Sequence, residues 1–204
     1  MSITASNRRR ATALAAALAF SAALSGCISL GPEPPDALLT LTPEPGQIAP
    51  ANAGASGSAE NAIAVLQPES VQRLNVTRVP VQVSPSAIAY LEDATWVDKP
   101  AKLFQQLLSE TIRARADRLV VGETDLMIPP RTVLSGQLVQ MGYDAASQTV
   151  TVRFDAILQQ AGGEVRTRRF ESTRTGIAPD VVAIGPALNE TANEVARQVA
   201  EWVA

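Results

Sequence analysis

TVLSGQLVQMGYDAASQTVTVRFDAILQQAGGEVRTRRFESTRTG, residues 132–176, decides the fold of this chain. Apolar residues recur in it with a period of two, the signature of strands buried on one face. Thr132 to Tyr143 predicts a long strand, with Leu134 and Leu138 on one face and Val133, Val139 and Met141 on the other. The cluster Asp144 to Gln148 turns the chain. Val150, Val152, Phe154, Ala156 and Leu158 then alternate with Thr151, Arg153 and Asp155, so one face is apolar and the other wet. Gly162-Gly163 supplies the second turn. Val165 to Gly176 returns as a strand carrying Arg166, Arg168, Arg169 and Arg174. That charge load suits a sheet edge, where it discourages pairing with stray strands.

Helical periodicity flanks this β-meander. Before it, Asp98 stands where an N-cap belongs and Pro100 fits a first turn. Phe104, Leu107, Leu108, Thr111, Ile112 and Arg115 then share one face at helical spacing. After the meander, Pro186 is expected to open a second helix, with Leu188, Ala192, Val195, Val199 and Trp202 on one stripe. Short strands are expected at Ala62 to Leu66, Leu74 to Val83, Ile88 to Leu91 and Leu119 to Val121, with Pro80 marking an edge or a bulge. The sum is one α/β (α+β) domain over residues 62–204. Its sheet is mixed and largely antiparallel, with both helices packed on one face.

Upstream, residues 1–26 read as an export signal. Arg8, Arg9 and Arg10 precede an apolar run from Ala11 to Leu24, too short to span a bilayer comfortably. Leu24-Ser25-Gly26-Cys27 closes it in the pattern of a lipobox, which makes Cys27 the first mature residue and the site of acylation, palmitate included. Two or more acyl chains anchor a protein stably. Ile28, and not Asp, follows the cysteine. In the sorting logic this pattern resembles, that favours the periplasmic face of the outer membrane, with the inner membrane as the alternative. Residues 27–61 read as lipidated tether. Leu38 to Leu41 can pair as a short strand, and Pro43 to Asn61 is expected to be a flexible linker.

Composition narrows the chemistry. Removing residues 1–26 leaves 178 residues with 14 basic (17 − 3) and 20 acidic groups, a balance of −6. That is not the net basic character of a nucleic-acid binder. The chain holds no histidine, and its one cysteine is taken by lipid. Ser-His-Asp and Cys-His catalysis, His-ligated zinc and thiol redox chemistry are therefore excluded. The acidic residues are scattered, and the one adjacent pair, Glu92-Asp93, reads as a solvated turn. GGEV at 162–165 is a hairpin turn, not a phosphate loop. The expectation is a protein that is not an enzyme and that takes no cofactor or metal.

The lipobox, ALLTLTP at 37–43 and YLEDATWVDKPAKLFQQLL at 90–108 resemble the ABC-type transport auxiliary lipoproteins, the group that contains the paraquat-inducible protein C lipoproteins. SGQL at 135–138 and the closing EVARQVAEWV at 194–203 fit the same pattern. The resemblance implies a small α/β lipoprotein with no catalytic role, partnering the MCE-domain protein of an ABC-type lipid transport system. Energy would come from that system's ATPase, since this chain has no Walker A motif.

Three readings stand side by side: a docking subunit, a carrier that encloses an acyl chain itself, and an envelope enzyme. Both helix stripes are needed for the core, so partner contacts are expected on loops, sheet edges or the sheet's outer face. The named candidates are Glu92, Asp93 and Trp96 in one stretch, and Arg166, Arg168, Arg169 and Arg174 in another. Trp96, beside a strand-helix junction, reads first as a core plug and otherwise as an interface anchor. Homo-oligomerisation is left open.

Overall fold

The computed structural model describes residues 37–49, 60–116, 118–122 and 130–204. Cys27 and the signal segment lie outside them. Eight strands form one sheet: β1 (Ala62–Val65), β2 (Glu69–Ser70), β3 (Arg78–Ser84), β4 (Ala87–Thr95), β5 (Leu119–Val121), β6 (Thr132–Asp144), β7 (Thr149–Gln159) and β8 (Val165–Thr175). The two helices are α1 (Pro100–Arg115) and α2 (Val181–Val203).

The meander forms as its alternation predicts. β6–β7 and β7–β8 are long antiparallel ladders. On its other side β6 takes β1, β2 and β3 in turn, all parallel, and β4 and β5 extend that side. The sheet is thus mixed, and its long ladders are antiparallel. One detail departs from simple alternation. The β6–β7 register shifts between Leu138 and Gln140, so Val139 is an extra residue on β6. A bulge of this kind reverses which face later side chains occupy. Met141 therefore joins Leu134 and Leu138 in the core and is fully buried, not opposite them as strict alternation predicts. Gly136 permits the tight β6–β7 approach nearby. Its φ is +149°, and a Cβ there would lie 2.1 Å from the Asp155 carbonyl oxygen.

Both helices pack on one face of this sheet. Phe104, Leu107, Leu108, Thr111 and Ile112 of α1 are buried, as are Leu188, Ala192, Val195 and Val199 of α2. Phe104 meets Phe154 of β7 edge to face at 5.4 Å, joining helix and sheet in the centre of the core. The helix starts differ from expectation. Lys99, not Asp98, is the N-cap of α1; Asp98 instead accepts the Lys99 N–H and pairs with Lys102 at 2.7 Å. The second helix starts at Val181, capped by Asp180, which accepts the Ala183 N–H. Pro186 lies inside it. A good cap ahead of the proline outweighs the one intrahelical bond that the proline removes.

The other differences lie upstream. Gln72–Leu74 is a 3-10 turn, so β3 begins only at Arg78. Glu92 and Asp93 are not a turn but part of β4. The two-residue step from Arg78 to Pro80 on β3 faces the five-residue step from Tyr90 to Thr95 on β4, which leaves a bulge with Asp93 at φ +54°. Residues 37–49 are also held against the domain. Leu39 forms a parallel bridge to Trp96, with its N–H donating to Thr95 and its carbonyl accepting from Val97. Asn193 donates to the Thr42 carbonyl and accepts the Glu44 N–H. Gln47 is buried and accepts from the Thr111 hydroxyl. The segment expected to be free linker from Pro43 is thus docked across both helices as far as Ala49, because α1 and α2 present polar side chains that satisfy its backbone.

Candidate partner-binding surfaces

The two sequence candidates lie on opposite sides of the sheet and are not brought together. The first is on β4, at the far end of the β3 branch. Glu92 and Asp93 are exposed on its bulge. They border a notch of about 420 Å³ that Tyr90, Leu91, Pro179 and Asp180 also line. Trp96 does not belong to this surface. It is 2% exposed, packed in the core, and its indole N–H finds no acceptor among the described residues. It lies in the core cluster beside the Leu39 bridge, so of its two readings the core plug describes it and the interface anchor does not.

The second candidate is β8, which among the described residues pairs with β7 alone. All of it is exposed except Phe170 and Ser172. Its arginines divide by face. Arg169 points away from the helices and forms a bidentate pair with Asp155 at 2.6 and 2.7 Å. The Arg169 guanidinium beside Asp155 holds its carboxyl below the usual carboxylate range. Arg153 and Glu171 pair on the same face. Charge there is compensated within the fold. On the helix-side face, Arg174 lies 3.8 Å from Glu190 of α2. Arg166 and Arg168 instead rest on rings: Arg166 over Trp202 at 5.3 Å and Arg168 over Phe170 at 5.0 Å. Trp202 itself packs edge to face on Phe170 at 5.5 Å. Neither Arg166 nor Arg168 has a carboxylate within ion-pair distance among the described residues.

Trp202 is the residue that sequence reasoning misplaced in part. It closes the α2 core stripe, yet it is only half buried and serves as a shelf for Arg166. The signal was its position at the end of the stripe, where it packs on the edge strand through Phe170 and leaves room for Arg166 over its ring. Beside β8, on the outer face, an open groove of about 740 Å³ runs between Leu66–Glu69 and the strands β6 to β8. Gly136 and Ile157 line it together with Glu69, Asp155 and Arg169. No group of histidine, cysteine or acidic residues among the described residues could hold a metal ion.

The family model for the ABC-type transport auxiliary lipoprotein component matches residues 40–200. The chain belongs to that family. The match starts in the docked segment at Thr40 and ends in α2, so it takes in both candidate surfaces. The chain shares its fold with XCC0632 of Xanthomonas campestris at a TM-score of 0.66 and 16% identity, covering 82% of this chain and 94% of that one. A second solved structure, of an uncharacterised protein, matches at 0.62 and 11% identity, covering 72% and 95%. The dodecameric PelC of Paraburkholderia phytofirmans matches at 0.42 and 15% identity, covering 72% and 92%. No curated protein matches the chain.

Proposed function

We propose that this auxiliary lipoprotein is a non-catalytic docking subunit of an ABC-type MCE intermembrane lipid transport system. Acyl chains on Cys27 hold it to the periplasmic face of the outer membrane, and the folded domain captures the MCE-domain protein. The observation that carries the reading is the family match over residues 40–200. Surface chemistry supports it. The exposed arginines of β8 lie on rigid sheet, where geometry is fixed in advance and little ordering cost attends binding. The groove beside them is open to solvent and carries the Asp155–Arg169 ion pair, so it does not enclose an acyl chain. The helix stripes are buried and offer nothing to a partner.

The test is capture from detergent-solubilised envelopes with the full-length chain as bait. The MCE-domain protein should co-purify, and Cys27→Ser should lose a metabolic palmitate-analogue label. Undiminished label in Cys27→Ser would remove the lipidation site. Recovery of other transporter subunits without the MCE-domain protein would remove the docking role.

A further inference from the structure

Resting on that docking reading, we propose that the free edge of β8 takes an extended acidic segment of the partner as an added strand. Arg166 and Arg168 would each bind a carboxylate, the two carboxylates lying two residues apart on that segment. An edge strand presents a row of backbone N–H and C=O groups with no partner in the sheet. β8 offers 11 residues of such edge, and among the described residues nothing pairs with it beyond β7. Strand addition to an exposed edge takes its affinity from these main-chain groups and its selectivity from alternate side chains.

Arg166 and Arg168 are placed to supply that selectivity. They stand on the same face of β8, about 6.7 Å apart along the strand. Side chains two residues apart on an added strand have the same spacing. Each guanidinium lies over an aromatic ring, Trp202 or Phe170. Such contact narrows the conformations of a long side chain, and a guanidinium with no carboxylate partner keeps donors that can meet one in bidentate fashion. The other arginines of β7 and β8 already face acidic groups: Arg169 Asp155, Arg153 Glu171 and Arg174 Glu190. In a chain with net negative charge, two adjacent arginines without a carboxylate stand out. Charge complementarity thus selects an acidic occupant. The strand edge selects a polypeptide over a membrane surface, which needs no backbone pairing.

The probe is a short fluorescent peptide with glutamates at alternate positions between valines and threonines, titrated against the full-length chain in detergent. It should bind saturably. A peptide of the same composition N-methylated at alternate amides should bind at least about tenfold more weakly, since it cannot complete the ladder. Arg166→Glu with Arg168→Glu should cost at least about tenfold, and lysine in place of the peptide's glutamates should restore binding to that variant. Arg113→Glu, an exposed arginine on α1 away from β8, should change affinity less than about threefold. Equal binding of the N-methylated peptide would overturn strand addition. So would Arg166- and Arg168-dependent binding of phosphatidylglycerol vesicles without any peptide binding. If the peptide fails while the MCE-domain protein still cross-links to β8, docking stands and this mode of docking is wrong.

Discussion

β7 and β8 are neighbouring strands of equal length, paired along all 11 residues, yet they end in opposite environments. The inward residues of β7, Val150 to Leu158, are all apolar and all buried under the helices. On β8 only Phe170 and Ser172 are buried, and the inward positions on either side of them are Arg166, Arg168 and Arg174. The helix layer covers β7 completely and β8 only at its centre, where Trp202 and Phe170 meet. A strand's neighbours in the sheet thus do not settle its burial; the width of the layer above it does. Where that layer stops, apolar residues give way to arginines stacked on the last available rings.

The sharpest way to break this contrast is to empty β7's core. Phe154→Ala should destabilise the domain by about 3–5 kcal/mol in a denaturant melt, because Phe154 is 1% exposed and packs on Phe104. A loss below about 1 kcal/mol would place it outside the core. Next comes the layer itself. Asn193→Ala in α2 removes a buried side chain that holds Thr42 and Glu44, and should cost about 1–3 kcal/mol. It should also speed proteolysis in residues 37–49.

Smaller effects are expected on the outer face. Asp155 and Arg169 are both solvated, so Asp155→Asn should cost less than about 1 kcal/mol. The folded pKa of Asp155 lies below its unfolded value. The pair's contribution is therefore present above about pH 4 and is lost as pH falls through the folded value, where variant and native curves should converge. Of the same order, Arg166→Glu with Arg168→Glu should shift stability by about 1 kcal/mol, since only ring stacking is lost. A large loss there would mean that β8 is covered after all.

Much of this contrast is legible in the sequence. Alternation in 149–159 and the arginines of 165–175 already separate a buried strand from an edge, and the stripes of both helices are plain. What escapes reading is set by single-residue events. The bulge at Val139 reverses the face of Met141, and no local composition marks it. Pro186 looks like a helix start because prolines favour first turns, but Asp180 caps the helix six residues earlier. Residues 43–49 look unable to fold because they bring little to bury. Their order comes from polar groups on distant helices: Asn189, Asn193, Glu110 and Thr111. Trp96 carries no mark that separates a core plug from an interface anchor. It lies in the main core cluster, and its backbone bridges to Leu39, a residue far away in sequence.

The proposed partner surface is β8, where the helix layer runs out. Site-specific photo-crosslinking in intact cells tests it directly, with probes at positions 166 and 168, at 92 and 93, and at the buried helix positions 107 and 195. Adducts to an MCE-domain protein from 166 and 168, with none from 107 and 195, are the predicted result. No adduct from 166 and 168, with adducts from the helix positions, would contradict it.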